Sequence, residues 1–481
     1  MINDMVDLFL SLTEASIKHD NPPQNIMIDF SPILDNVPHW DRFLTVDEQN
    51  AESRKLAEEY PESVELMELG PSTMGEQILC LKIGSGKYNA VIHGFPNCEE
   101  PYGGNHLTYL SRALAENPEL TKQLDYTWYL VKCSDPDGAR RNEDFQKGPL
   151  DPLNFSLNYY RTPHSITPDG CFPFRYGPLD LNNPTAETKA LMSLLDRVKM
   201  SFLSSLHMMK WGGISFMVPH KAPELYADLQ NAAKQFNVFL RKRPGTMLAP
   251  GVMHAQYLQP ARNYVRHMAA GNKNLEPIQG CDIYEYVQIW NPDSFIIIPE
   301  CCLWYEPRML DDNVSESTLG EAFEYGNEKM NEANSFMLDL WREGEPILET
   351  ETPWKRMTWE NVEPLIAKYT NVSNPPFKFN PKVHARKATV AEKIGIEGHD
   401  DLYRMFNLGG MYKMFDEEAK ATGNDKALEL KQRIHEKLVE YDKYLHENYT
   451  IVNTPIHNLV GMSIGALLAT SQYTKTLVRN P

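Results

Sequence analysis

No long apolar run interrupts this chain. The most apolar late segment, Leu459 to Ala469, is too short to span a bilayer and gives way to Thr470, Ser471 and Gln472. It reads as a buried helix. Positive charge is also scarce. Lys and Arg total 47 against 65 Asp and Glu, for a net charge of −18. A dominant basic surface is therefore excluded, which argues against a nucleic-acid partner and against an anionic membrane. Cysteine is sparse and odd in number: Cys80, Cys98, Cys133, Cys171, Cys281, Cys301 and Cys302. A chain of this length needs no disulfide framework, so reduced thiols in a cytoplasmic compartment are expected. The opening residues carry no basic segment or cleavage signal of a leader. Internal repeats and low-complexity tracts are missing as well.

What is present suits a large globular enzyme. The 481 residues are 42% hydrophobic, enough for two domains or one domain with an elaborate extension. The stretch Asn89 to His106 is the most informative. Ala90, Val91 and Ile92 suit a short buried strand, Gly94 and Pro96 break it, and the acidic pair Glu99 and Glu100 follows. Pro101 and Gly103-Gly104 then lead into a helical run. Such strand-to-loop-to-helix junctions are where open α/β sheets place their chemistry.

Periodicity supplies the rest of the outline. Residues 45–60 predict a helix; 64–69 and 78–83 suit a hairpin, and 89–92 starts a central sheet. Strands are further predicted at 126–133, at 201–206 ending on His207, and at 295–298 ending on Pro299-Glu300. Helices are predicted at 107–115, 185–195 and 222–235 between them. The alternation predicts an α/β fold with a mixed central sheet flanked by helices over 39–335. Residues 1–38 read as a helical arm. Residues 336–481 read as a C-terminal helical region.

Four of these junctions deliver polar residues: the loop 97–100, the segment Asp135 to Glu143, His207 and Glu300. Glu100 and His207 suit a zinc centre that leaves a position for water. Glu300 suits a general base, and Arg140 suits an oxyanion stabiliser.

Residues 45–306 resemble the zinc carboxypeptidase (metallocarboxypeptidase) family. The resemblance rests on Gly70-Pro71-Ser72-Thr73-Met74-Gly75, on His93 to Pro101, on Asp135-Pro136-Asp137-Gly138, on Ser205-Leu206-His207 and on Pro299-Glu300. It implies a zinc-dependent hydrolase of a peptide or small-molecule amide, with one zinc per chain. It assigns Glu100, His207 and Asn97 to the metal. Glu300 would be the base that activates a metal-bound water, and Arg140 the carbonyl-polarising group. Asn158-Tyr159-Tyr160-Arg161 resembles the region that grips a substrate carboxylate, giving Arg161, with Asn142 and Tyr286 as further substrate contacts.

One position departs from the pattern. Asn97 stands where the family's first zinc histidine falls, and a neutral amide is a poor zinc ligand. Three readings stay open: a modified metal site, a non-hydrolytic relative acting as a binding or scaffold protein, and an introduced replacement that disables an enzyme. Other signals fail on context. Gly461-Met462-Ser463-Ile464-Gly465 fits a nucleophile elbow, but a helical run surrounds it and no histidine follows. Cys98 near His93 lacks a marked activating environment.

Overall fold

A computed structural model describes residues 28–177, 179–241, 247–255, 260–269, 271, 278–370 and 384–477. Most of the expected N-terminal arm lies outside these residues. Helix α1 (Val46–Glu59) begins on a capping box between Thr45 and Glu48. Then come β1 (Val64–Pro71), β2 (Gln77–Ile83), β3 (Tyr88–Gly94), α2 (Tyr102–Glu116) and β4 (Tyr126–Val131). Short helices α3 (Pro136–Arg141) and α4 (Pro152–Leu157) lead to α5 (Ala186–Leu195), β5 (Phe202–Trp211), β6 (Ser215–Val218) and α6 (Pro223–Gln235). Strands β7 (Met247–Ala249) and β8 (Val252–His254), helix α7 (Ile283–Trp290) and strand β9 (Phe295–Tyr305) follow.

The chain ends in α8 (Leu319–Gly344), α9 (Pro353–Thr370), α10 (Val390–Thr422), α11 (Asp425–Asn448), β10 (Val452–Asn453) and α12 (Ile456–Thr476).

The ten-stranded sheet runs β1-β2-β4-β3-β5-β9-β6-β8-β7, with β10 added to β9. Its centre is parallel: β4, β3, β5 and β9 lie side by side in one direction. Antiparallel pairs bracket them at β1–β2, β2–β4 and β9–β6. The expected mixed sheet with flanking helices is the observed fold. The hairpin is part of that sheet, because β2 also pairs with β4. Central strands covered on both faces must be apolar on both. Accordingly Ala90, Val91, Ile92, Leu203, Phe202, Ile296 and Ile297 are all buried.

The C-terminal helical region is present. Helix α8 spans residue 335. The last helix, α12, returns to pack on α6, α2 and β9, so it covers a face of the sheet. There the Gly461-to-Gly465 segment is helical and buried. Tyr126 Oη reaches the backbone oxygen of Ser471 at 3.0 Å and ties α12 to β4. Among the described residues, no helix is long and apolar enough to cross a membrane.

Helix α10 docks on α4 at a contact that only glycine permits. A Cβ on Gly409 would lie 1.7 Å from the backbone oxygen of Ser156. Gly409→Ala should therefore cost about 1–3 kcal/mol through overpacking. Denaturant unfolding of the full chain checks this; an unchanged midpoint would disprove the close docking.

Candidate active centre

The centre forms where the parallel strands meet their loops. β3 ends at Gly94, packed so closely on α2 that a Cβ on Gly103 would lie 2.7 Å from Gly94 Cα. Phe95 then takes φ +56°, a left-handed conformation costly for a non-glycine residue. This bend turns the loop back toward the sheet and buries Glu99 and Glu100. Next to β3, β5 carries His207, and β9 places Glu300 in direct register with it. Both residues lie inside their strands, which run on to Trp211 and Tyr305, and not at strand ends as expected from the sequence.

Three of the sequence-derived residues converge closely. His207 Nδ1 lies 3.0 Å from Glu100 Oε2. Asn97 Nδ2 donates to Glu100 Oε1 at 2.9 Å and lies 3.4 Å from His207 Nδ1. On the far side, Arg161 Nη2 donates to Asn97 Oδ1 at 2.9 Å, and Arg161 Nη1 reaches Glu99 Oε1 at 2.5 Å. Lys210 Nζ sits 3.8 Å from both Glu99 Oε1 and Glu100 Oε1.

Burial alone would raise the Glu100 carboxyl, but His207 and Lys210 outweigh it and hold the group well below its usual range. Burial opposes the charge on His207, and Glu100 more than reverses that, lifting the imidazole to about 9. Burial pushes Glu300 up to about 7 against the pull of His207. Asp169, 4.0 Å from His207 Nε2, is likewise raised by burial to about 7. His93 is fully buried, which drives its imidazole down to about 3, and its Nδ1 lies 3.3 Å from Ser134 Oγ.

Glu300 yields a pH prediction. Its proton leaves near 4.5 in the unfolded chain and near 7 in the folded one, so stability falls as pH rises through that window. Glu300→Gln removes the penalty. The variant should gain about 3 kcal/mol relative to wild type at pH 8 compared with pH 4. Urea titrations at the two pH values check it, and a gain equal at both would refute the raised carboxyl.

The remaining assigned residues sit elsewhere. Arg140 is held by Glu76 and Asp47, each at 2.7 Å, with Glu143 at 3.8 Å. That network ties α3 to α1 and the β1–β2 turn. Its neighbour Arg141 instead stacks on Tyr160, 5.1 Å from the ring centroid. Asn142 is buried and spends its amide on the backbone of Tyr160, donating to the oxygen at 2.9 Å and accepting from the nitrogen at 3.1 Å. It therefore sets the path of the chain into Arg161. Tyr286, expected as a substrate contact, is buried in α7 and spends its hydroxyl on Asp196 at 2.6 Å.

Residues 50–276, just under half of the chain, match the zinc carboxypeptidase (peptidase M14) family model. Among solved structures, the chain is similar to carboxypeptidase A from Helicoverpa armigera, at 14% identity over 63% of this chain and 72% of that one, with a TM-score of 0.37. It is also similar to a metallo-carboxypeptidase from Burkholderia cenocepacia, at 11% identity over 54% and 60% of the two chains, TM-score 0.32. A third is the murein-tripeptide amidase of Escherichia coli O157, at 14% identity over 55% and 89%, TM-score 0.27. No curated protein matches the chain.

The zinc carboxypeptidase match implies zinc, and the donors can be tested against it. Among the described residues, no group of three or more His, Cys, Asp or Glu could hold a metal ion. Asn97 stands against Glu100 and His207 where a third donor would be needed. Arg161 takes its carbonyl oxygen, so the amide turns its nitrogen, with no lone pair for a metal, toward Glu100. Arg161 brings a cation against Glu99, and Lys210 another against both Glu99 and Glu100. The residues present do not fit a zinc ion.

The sequence pattern carries no sign of Lys210 or Asp169, and of the adjacent pair Arg140 and Arg141 it favours Arg140. Lys210 follows His207 by three, a spacing that alternation places on the opposite face of a strand. Asp169 lies in an irregular stretch without periodicity. The choice between Arg140 and Arg141 depends on the turn of a short helix that no spacing resolves.

Proposed function

We propose that this chain recognises a peptide or small amide at its carboxypeptidase-type centre without zinc-driven hydrolysis. The observation that carries this reading is the orientation of the Asn97 amide, whose nitrogen bonds Glu100 while Arg161 holds its oxygen. Asn97 donates to one oxygen of Glu100 while His207 pairs with the other, so both carboxylate oxygens are occupied without a metal. Arg161 keeps a side chain 38% exposed, so its unused N–H groups can still meet a carboxylate from solvent. The test mixes the chain, with zinc and then with chelator, with a library of short peptides. Bound peptides should be recovered uncut in both cases. Zinc-dependent release of a terminal residue would defeat the proposal.

A second reading keeps hydrolysis. Glu300, raised to about 7 and in register with His207, has the proton affinity that suits a general base near neutral pH. It gains the upper hand if amide cleavage appears and disappears with Glu300→Gln.

A further inference from the structure

A cavity of about 550 Å³ is lined by Tyr160 and Thr162, the neighbours of Arg161, but by none of the centre's own residues. Its volume suits a small ligand. One wall belongs to the matched segment, with Asp137 and Arg141 from α3, Tyr160, and Glu187 from α5. The other is the first turn of α9, including Arg356, which lies outside the residues matched by the family model.

The wall groups carry both signs of charge, and neither is used up. The Arg141 guanidinium donates to the Asp137 backbone oxygen and contacts Met74 Sδ at 3.1 Å, so most of its five N–H groups remain. Arg356 donates from Nη2 to Ser165 Oγ at 2.8 Å, with Glu360 3.6 Å from its Nε.

Each carboxylate oxygen of Asp137 and Glu187 accepts one hydrogen bond. Asp137 takes Ser72 Oγ at 2.6 Å and Met74 N at 2.8 Å; Glu187 takes Thr73 N at 2.7 Å and Thr73 Oγ1 at 3.1 Å. Every one of those oxygens keeps a lone pair. Asp135, bonded to Gly138 N and Thr162 Oγ1, and Glu351, paired with Lys355, add two more acids.

A purely anionic ligand would meet four carboxylates here, and a purely cationic one two arginines. We propose that this cavity binds a small zwitterion, an amino acid or dipeptide. Its carboxylate lies on Arg141 and Arg356, where planar guanidinium groups match it in bidentate geometry. Its ammonium lies on Asp137 and Glu187. The C-terminal helical region thereby contributes directly to a ligand site through α9. The site stands independently of what the centre binds.

The test is calorimetry of the full chain with a panel of Ala-Xaa dipeptides, free, N-acetylated or C-amidated. At least one free dipeptide should bind, and either cap should weaken it by about tenfold or more. Arg356→Gln and Arg141→Gln should each do the same to the free dipeptide. Arg356 is half-exposed, so its variant should fold as wild type does. No binding below about 10 mM by any dipeptide overturns the site. So does binding indifferent to both arginine changes. Binding that ignores the arginines but vanishes in His207→Gln belongs to the centre: it removes this cavity site and leaves the reading of the centre in place.

Discussion

Exposed to excess zinc and then desalted, the wild-type chain should retain well under one zinc per molecule, and Asn97→His should retain measurably more. The difference follows from the donor set. Glu100 and His207 already lie 3.0 Å apart, so a third lone pair is what the centre lacks. An imidazole at position 97 supplies it, and a single ligand or its support changes metal affinity by about 10- to 100-fold. Recovery should nonetheless be partial, because Lys210 Nζ stays 3.8 Å from Glu100 and zinc must compete with that charge. Adding Lys210→Met to Asn97→His should raise retention again. Metal analysis after chelator washing checks all three proteins. A wild-type chain that keeps one zinc per molecule through the wash would end the metal-poor reading.

The legibility of this molecule in its sequence divides along physical lines. The strands and the helices between them follow from local apolar pattern, which is why β3, β4, β5 and β9 are found where periodicity places them. The meeting of Glu100 with His207 was also accessible, because both belong to motifs whose order is a property of the zinc carboxypeptidase family. Strand ends were less visible. β5 and β9 continue past His207 and Glu300 because Met208, Cys301, Cys302 and Leu303 are buried, and proline at 299 sits inside β9 without ending it.

The hardest features were long-range charge pairings. Nothing local to Arg140 announces Asp47, which lies on α1, or Glu76 in the turn. Nothing local to Asn97 announces that Arg161 fixes which end of its amide faces the centre. Residue type shows an amide at position 97; only packing shows which of its ends meets Glu100.

Arg161 holds the Asn97 amide in its orientation, and its removal should show two effects of opposite character. The side chain of Glu99 is 1% exposed and pairs with Arg161 at 2.5 Å, with Lys210 farther off at 3.8 Å. Arg161→Met leaves that buried carboxylate with one distant cation, which should cost about 3–5 kcal/mol of stability. Glu99→Gln in the same background removes the stranded charge, so the double variant should recover most of the loss, and a double-mutant cycle should report strong coupling. Meanwhile, Asn97 loses the donor that holds its oxygen outward. Its amide is then free to turn that oxygen toward Glu100 and His207, and one positive charge has left the neighbourhood. Zinc retention by Arg161→Met/Glu99→Gln should therefore exceed that of wild type. A residue that served stability alone would lower the unfolding midpoint and leave zinc uptake where it was. Loss of stability without any rise in zinc uptake would show that the arginine braces the loop but does not set the orientation of the amide.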